Sequence, residues 1–258
     1  MEDYEIRGVT ELFNTWQGEG PRMGKMCTFL RFKKCNLHCE FCDIKHKLEN
    51  SKECNCNIIE DVYEKIKSTK YLLISGGEPT VYNNQIYKIL DYFYKYNILI
   101  GIETNGLFIN NLLKKVDDLI FNKNNGIPPL FNLEFYWSPK IFSDNSHEGV
   151  KYTTLDWFEH QLKVVNNYIS DIYIKLNNKF KSVPQIINLY IKVLCSDSLD
   201  YENIIKISTK YINNENIYIM AEGVSPIDLI MNSVKIPNLA YKYNVNISSR
   251  LHILHVVP

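Results

Sequence analysis

The 258-residue sequence has no surplus of charge of either sign: 29 Lys and Arg stand against 29 Asp and Glu. Without a basic excess to replace phosphate counterions, nucleic-acid binding by bulk electrostatics is excluded. No apolar run reaches the roughly 18 residues that a membrane span needs. The opening residues, MEDYEIRGVTELF, carry acids where a signal peptide carries basic residues, and no apolar stretch follows them. Fixed-period repeats and long Pro- or Ser-rich linkers are also lacking. The most linker-like stretch, Asn122 to Pro129, reads as a surface loop rather than a boundary. The expectation is a single domain over residues 1–258, cytoplasmic, with neither nucleic acid nor membrane as a partner.

What is present is an ordinary globular composition, 45% hydrophobic and 22% charged, with length enough for a sizeable core. Short apolar runs alternate with helix-period segments. Strands are predicted at Met26–Phe32, Tyr71–Ser75, Ile98–Glu103, Asp118–Phe121, Leu133–Trp137, Ile172–Leu176, Ile191–Leu194, Ile217–Met220 and Asn246–Val256. Helices are predicted around Ile58–Ile66, Ile86–Phe93, Leu155–Tyr168, Asn203–Tyr211 and Ile227–Tyr243. Such alternation implies an α/β fold, a partial or modified (β/α) barrel with a mostly parallel sheet. In such folds functional groups collect at the C-terminal ends of strands. Three polar turns fall there: Gly76-Gly77-Glu78-Pro79, Glu103-Thr104-Asn105-Gly106 and Ser138-Pro139-Lys140.

Seven cysteines stand at positions 27, 35, 39, 42, 54, 56 and 195. Five of them crowd between 35 and 56, which suits metal ligands better than a disulfide framework. Cys35, Cys39 and Cys42 follow a predicted strand and can converge on one centre. Three thiols are one short of a closed zinc site and one short of saturating a four-iron cluster. A three-thiolate cluster keeps one iron open for a ligand. His38, or Cys54 and Cys56, would instead complete a structural zinc site, and spacing alone leaves both readings standing.

The C-x3-C-x2-C spacing with Phe41 before the last cysteine resembles the radical S-adenosylmethionine (SAM) superfamily. Gly76-Gly77-Glu78-Pro79 resembles its glycine-rich methionine-binding motif. The flanks are more specific. Phe13, Gln17-Gly18-Glu19-Gly20, Gly24, Phe29, Arg31 and Cys42-Asp43 are similar to the 7-carboxy-7-deazaguanine synthase family. Glu103 to Gly106, Ser138 to Lys140 and Ser249-Arg250-Leu251-His252 extend the likeness, which is weakest across 107–132 and 141–190.

The resemblance implies a barrel of the radical SAM type, with an N-terminal substrate-binding segment and a C-terminal tail closing the site. It implies conversion of 6-carboxy-5,6,7,8-tetrahydropterin to 7-carboxy-7-deazaguanine with release of ammonia, a lyase step toward queuosine and related deazapurines. Cys35, Cys39 and Cys42 would hold a 4Fe-4S cluster whose open iron is chelated by SAM. One electron would then cleave SAM to a 5′-deoxyadenosyl radical that takes hydrogen from the pterin. By the same likeness Phe41, Asp43, Gly76, Gly77, Glu78, Gly106, Ser138, Pro139 and Lys140 bind SAM. The glycines would let backbone approach the methionyl group, and Glu78 would accept from its ammonium. The resemblance likewise implies that Trp16, Gln17, Gly18, Glu19, Arg31, Thr104, His252 and Pro258 would contact the pterin. Glu19 is suited to its 2-amino and ring N–H groups, and Arg31 to a carboxylate. An electron donor such as flavodoxin or ferredoxin and a homodimeric assembly are implied as partners.

One position departs from the family pattern. A Thr or Ser normally stands two residues after the last cysteine and ligates Mg2+; here it is Ile44. An aliphatic side chain cannot bind a hard cation that takes oxygen, so the magnesium ligand is unknown. Cys54 and Cys56 read as loop thiols, and Cys27 and Cys195 as small core residues. Two other classes compete: a different short radical SAM enzyme such as a glycyl-radical activase, and a zinc-bound interaction module without enzymatic activity.

Overall fold

The computed structural model describes residues 5–39, 42–53, 59–141, 154–197 and 199–255. Eight strands follow one another in chain order: β1 (Val9–Trp16), β2 (Met26–Phe32), β3 (Tyr71–Gly76), β4 (Leu99–Thr104), β5 (Asn132–Trp137), β6 (Ile187–Cys195), β7 (Ile217–Ala221) and β8 (Asn246–Ile247). The order does not close on itself, so the mostly parallel sheet is open. Helices α1 (Lys45–Asn50), α2 (Ile59–Thr69), α3 (Asn83–Tyr92), α4 (Ile109–Asp118), α5 (Leu155–Phe180), α6 (Tyr201–Tyr211), α7 (Pro226–Ser233), α8 (Ile236–Tyr243) and α9 (Leu251–Leu254) intervene.

The chain divides into two compact units. The first takes residues 1–15, 26–135 and 167–188. Its β3 is buried at all six residues, the continuous apolar run of a parallel strand covered on both faces. The α2 face Ile59, Val62 and Ile66 and the α4 face Ile109, Leu112, Leu113 and Val116 are buried at helical spacing. β2 runs parallel to β3 with Phe32 beside Gly76, and β3 parallel to β4 with Ile74 beside Ile102. This register brings the C-terminal ends of three strands to one edge, and the cysteine loop and two polar turns leave from it.

The second unit takes residues 16–25, 136–166 and 189–258. Here β6 and β7 are parallel with Cys195 beside Ala221, and β7 and β8 with Tyr218 beside Asn246. Trp137 packs edge-on against Phe158, with ring centroids 5.3 Å apart.

Most predicted elements are present, and the exceptions have physical causes. Asp118–Phe121 is not a strand: α4 runs to Asp118 and continues as a helical turn over Leu119–Lys123. Leu119 and Ile120 extend the three- and four-residue spacing of that helix's buried face. Ile172–Leu176 is likewise helical, the second half of α5, with Ile172 and Leu176 buried and Ile174 exposed. The helix predicted over Ile227–Tyr243 breaks in two before Pro237, which can continue no i→i−4 ladder. The final strand shrinks to Asn246–Ile247, followed by α9; Val256 lies outside the described residues. Strand β1 had no reading in the sequence.

Candidate active site

The glycine pair after β3 serves the cysteine loop first. A Cβ on Gly76 would stand 2.2 Å from the Phe32 carbonyl oxygen; one on Gly77 would stand 2.5 Å from that of Lys34 and 2.8 Å from the Cys35 Cβ. Gly76 also holds a φ of +144°, which favours glycine. With the side chains gone, the Gly77 N–H donates to the Phe32 carbonyl at 3.0 Å and the Glu78 N–H to that of Lys34 at 2.8 Å. The exit of β2 therefore lies flat on the turn, and Cys35 starts from a fixed point. Asn105 Nδ2 then donates to Asn36 Oδ1 at 2.8 Å, tying the loop to the end of β4.

The Leu37 N–H donates to Cys35 Sγ at 3.4 Å, and the Cys42 N–H to the Cys39 carbonyl at 3.4 Å. Cys35 is exposed as a residue, yet partial burial of its sulfur pushes the thiol pKa up, with Glu78, Cys39 and Cys42 adding to it. Among the described residues no three His, Cys, Asp or Glu side chains gather on a single point as a cage for one ion. Cys35, Cys39 and Cys42 leave from one loop at the sheet edge, while Cys54 and Cys56, the other candidate ligands, lie outside the described residues.

Glu78 is 1% exposed and its carboxylate is fully engaged. Oε1 accepts from the Thr80 N–H at 2.9 Å, from the Thr80 hydroxyl and from the Thr104 hydroxyl at 2.7 Å; Oε2 accepts from the Asn105 N–H at 2.7 Å. Burial pushes its pKa up against these four donors. Thr104 Oγ1 in turn accepts from the Gly106 N–H at 3.0 Å. Glu78, Thr104 and Gly106, expected to touch ligands, thus form one latch between the turns after β3 and β4.

Arg31, buried on β2, donates from Nε to Glu11, whose other oxygen accepts from Lys47 Nζ at 3.0 Å. Its guanidinium lies 4.8 Å from the Phe29 ring centroid. Burial would raise the Glu11 pKa, but Lys47 and Arg31 overturn it and lower the value. Ile44 is the residue before α1, and its carbonyl accepts the Leu48 N–H at 2.9 Å. Asp43 lies in the exposed turn beside it.

In the second unit the Gln17–Gly20 loop meets the Ser248–His252 segment. The Gln17 N–H donates to the Lys25 carbonyl and the Gly24 N–H to that of Gln17, both at 2.8 Å, closing a tight hairpin below exposed Trp16. The Gly18 carbonyl accepts from the Leu251 N–H at 3.0 Å, and a Cβ on Gly18 would stand 2.4 Å from His252 Nδ1. The Gly20 N–H donates to Ser248 Oγ at 2.8 Å. Between them sits Glu19, which accepts from Lys192 Nζ at 2.8 Å and from Arg250 Nε at 2.9 Å, with His252 Nε2 at 3.8 Å. Burial would raise its pKa, but the Lys192, Arg250 and His252 charges hold the carboxyl well below the usual range. Lys140 Nζ donates to Ser138 Oγ at 2.9 Å beside buried Pro139.

Phe41, Cys54, Cys56 and Pro258 lie outside the described residues. Sequence reasoning passed over Glu11, Asn36 and Lys192. Lys192 carried a signal, a lone charge inside the apolar run Ile191–Leu194.

Residues 30–127 match the family model described as the Radical SAM superfamily. A 7-carboxy-7-deazaguanine synthase of Haemophilus influenzae is 38% identical over 101 residues, which span 38% of this chain and 45% of that protein. One from Hyperthermus butylicus is 23% identical over 97% of this chain and 93% of its own length, and one from Methanocaldococcus jannaschii is 24% identical over 64% and 78%. In fold, the chain is similar to the crystal structure of QueE from Escherichia coli, with a TM-score of 0.54, 18% identity and 93% and 92% of the two chains covered. The cysteine loop, the turn that seats it and the open parallel sheet are similar to those of radical SAM enzymes, and the family-model match falls on the part of the chain that carries the cysteine loop and both polar turns. By sequence the chain is similar to proteins named 7-carboxy-7-deazaguanine synthase, and it spans 45% of the length of the Haemophilus influenzae protein.

Proposed function

We propose that this protein converts 6-carboxy-5,6,7,8-tetrahydropterin to 7-carboxy-7-deazaguanine with release of ammonia. The observation that carries the substrate assignment is Glu19: an ionised carboxylate, 14% exposed, on the Gln17–Gly20 loop and held by two cations. The cysteine loop fits any radical SAM enzyme. An acceptor pair that stays charged suits the 2-amino and ring N–H groups of a pterin.

The match to the radical SAM family model supports a 4Fe-4S cluster and SAM as cofactors, and Cys35, Cys39 and Cys42 would hold the cluster. When bound, these groups supply one-electron cleavage of SAM to a carbon radical. The chain's own residues seat and orient. Gly76 and Gly77 press the cysteine loop to the sheet edge. Glu78 locks the Thr104–Gly106 turn, whose backbone, with Asp43, Phe41, Ser138, Pro139 and Lys140, is assigned to SAM. Gln17, Glu19 and His252, with Trp16 and Gly18, are assigned to the pterin's polar edge, as are Thr104, Arg31 and Pro258 to the substrate. Glu11 and Phe29 hold the Arg31 guanidinium in place for a carboxylate.

Mg2+ belongs to the proposal with substrate and water as its main ligands. Ile44 offers no side-chain oxygen, and its carbonyl is spent in α1. A flavodoxin or ferredoxin is the proposed reductant, and the cytoplasm the proposed compartment; among the described residues no helix is long and apolar enough to cross a membrane. A homodimer is supported by the stripe Val224, Ile227, Ile230, Met231 and Val234 on and beside α7, 63–77% exposed and free of charge, which suits a self-complementary contact. Light scattering of the purified protein tests it. The reaction is tested by anaerobic incubation with SAM, a reductant and the carboxytetrahydropterin. A glycyl-radical activase would cleave SAM without consuming the pterin.

A further inference from the structure

Lys192 stands on β6 in a run of residues buried from Ile191 to Cys195. Its side chain is 4% exposed, and its stem packs on Gly20, where a Cβ would lie 3.2 Å from Lys192 Cδ. A lysine in such a place needs an anion. Its ammonium reaches Glu19 Oε2 at 2.8 Å, while Arg250 Nε takes Oε1 at 2.9 Å and Arg250 Nη1 donates to the Gly223 carbonyl at 2.7 Å. The Arg250 side chain is 8% exposed and that of Glu19 is 14% exposed. The carboxylate is therefore gripped at both oxygens by donors that are themselves buried and anchored, one from β6 and one from the C-terminal segment.

A carboxylate has about four lone-pair sites, two on each oxygen. Lys192 uses one on Oε2 and Arg250 one on Oε1. Those two bonds leave acceptor capacity on both oxygens, with His252 Nε2 3.8 Å from Oε1, and a pair of neighbouring N–H donors can draw on it. Without Lys192 the carboxylate would pivot about its Arg250 contact, and Oε2 would lose its fixed direction.

We propose that Lys192 is a positioning residue for recognition: with Arg250 it fixes Glu19 as a two-pronged acceptor, and so sets a preference for ligands that carry a 2-amino group beside a ring N–H. This rests on the proposed function, in which Glu19 meets the guanine-like edge. A site that holds both acceptors in fixed directions rejects a ligand missing one donor, because a buried oxygen is then left unpaired.

The test is equilibrium binding to the anaerobically purified holoenzyme of two probes: 7-carboxy-7-deazaguanine and its analogue lacking the 2-amino group. The wild type should prefer the aminated probe by roughly tenfold or more. In Lys192→Met the preference should shrink toward parity, with most of the loss on the aminated probe. Lys192→Arg should restore most of it, since a cationic donor again holds Oε2. Should the Met variant not fold, Lys192→Gln, which has no charge, is read in its place. A variant that weakens both probes equally, leaving the ratio intact, would show that Lys192 only supports the fold and would overturn the inference. A wild type that binds neither probe contradicts the proposed function itself, and this inference falls with it.

Discussion

The Thr104 hydroxyl donates to Glu78 Oε1 at 2.7 Å, joining the turns that follow β3 and β4. The motif glutamate is therefore first a structural latch with four protein donors. Glu78→Gln keeps the shape but turns an NH2 toward a donor, either the Asn105 N–H or the Thr80 and Thr104 groups. The loss should be about 1–3 kcal/mol of stability, the cost of leaving a buried donor unpaired. Denaturant unfolding measures it, and an unchanged midpoint would show that the latch contributes nothing.

The cysteines divide into two groups. Alanine at Cys35, Cys39 or Cys42 should abolish both iron retention and SAM cleavage after anaerobic reconstitution. Cys27→Ala, on buried β2 with a thiol pushed up to about 12 chiefly by burial, should keep both. Iron content and visible absorbance read the outcome. Full iron in a Cys39→Ala protein would contradict the ligand set, as would zinc in the anaerobically purified wild type.

Glu19 should make stability acid-sensitive. Burial raises its pKa, but Lys192 and Arg250 win, so the folded value lies below the unfolded one. Its contribution is present above the unfolded value and lost as pH falls through the folded one. Glu78 has the opposite sign: burial raises it, so its contribution is lost as pH rises through the folded value. Glu19→Gln should therefore cost roughly 3–5 kcal/mol near neutrality, the penalty for breaking a buried pair. The gap to wild type should close in acid. Unfolding free energies across pH test this, and a gap that widens in acid would contradict it.

Ile44→Thr tests the magnesium assignment. Mg2+ keeps several waters, so one missing protein ligand weakens binding without abolishing it. The chain should need more Mg2+ for full turnover than its Ile44→Thr variant, which adds a hydroxyl at the start of α1. Titrations after chelator treatment compare the two proteins. Superimposable curves would remove residue 44 from the metal site.

Much of this was legible in the sequence, and the failures share a cause. Buried parallel strands such as Tyr71–Gly76 announce themselves as apolar runs, and the cysteine spacing marks its own loop. Asp118–Phe121 and Ile172–Leu176 look the same as strands over four or five residues; only the 3.6-residue spacing carried on from the preceding turn shows them to be helix ends. Within the site, local motifs could be read and long-range pairing could not. Nothing in the chain announces that Glu19 meets Arg250, 231 positions away, or Lys192, 173 away. Gly76 and Gly77 are expected from the resemblance to let backbone approach SAM; that their bare Cα atoms lie against the backbone of Phe32 and Lys34 is a long-range contact that the turn's own residues do not announce.

The most direct test of the central claim is anaerobic turnover of 6-carboxy-5,6,7,8-tetrahydropterin with SAM and a reductant, followed by mass spectrometry of the products. The account predicts 7-carboxy-7-deazaguanine together with released ammonia, formed by the wild type and lost in Glu19→Ala. SAM cleavage by the iron-loaded protein with the pterin left intact would contradict it.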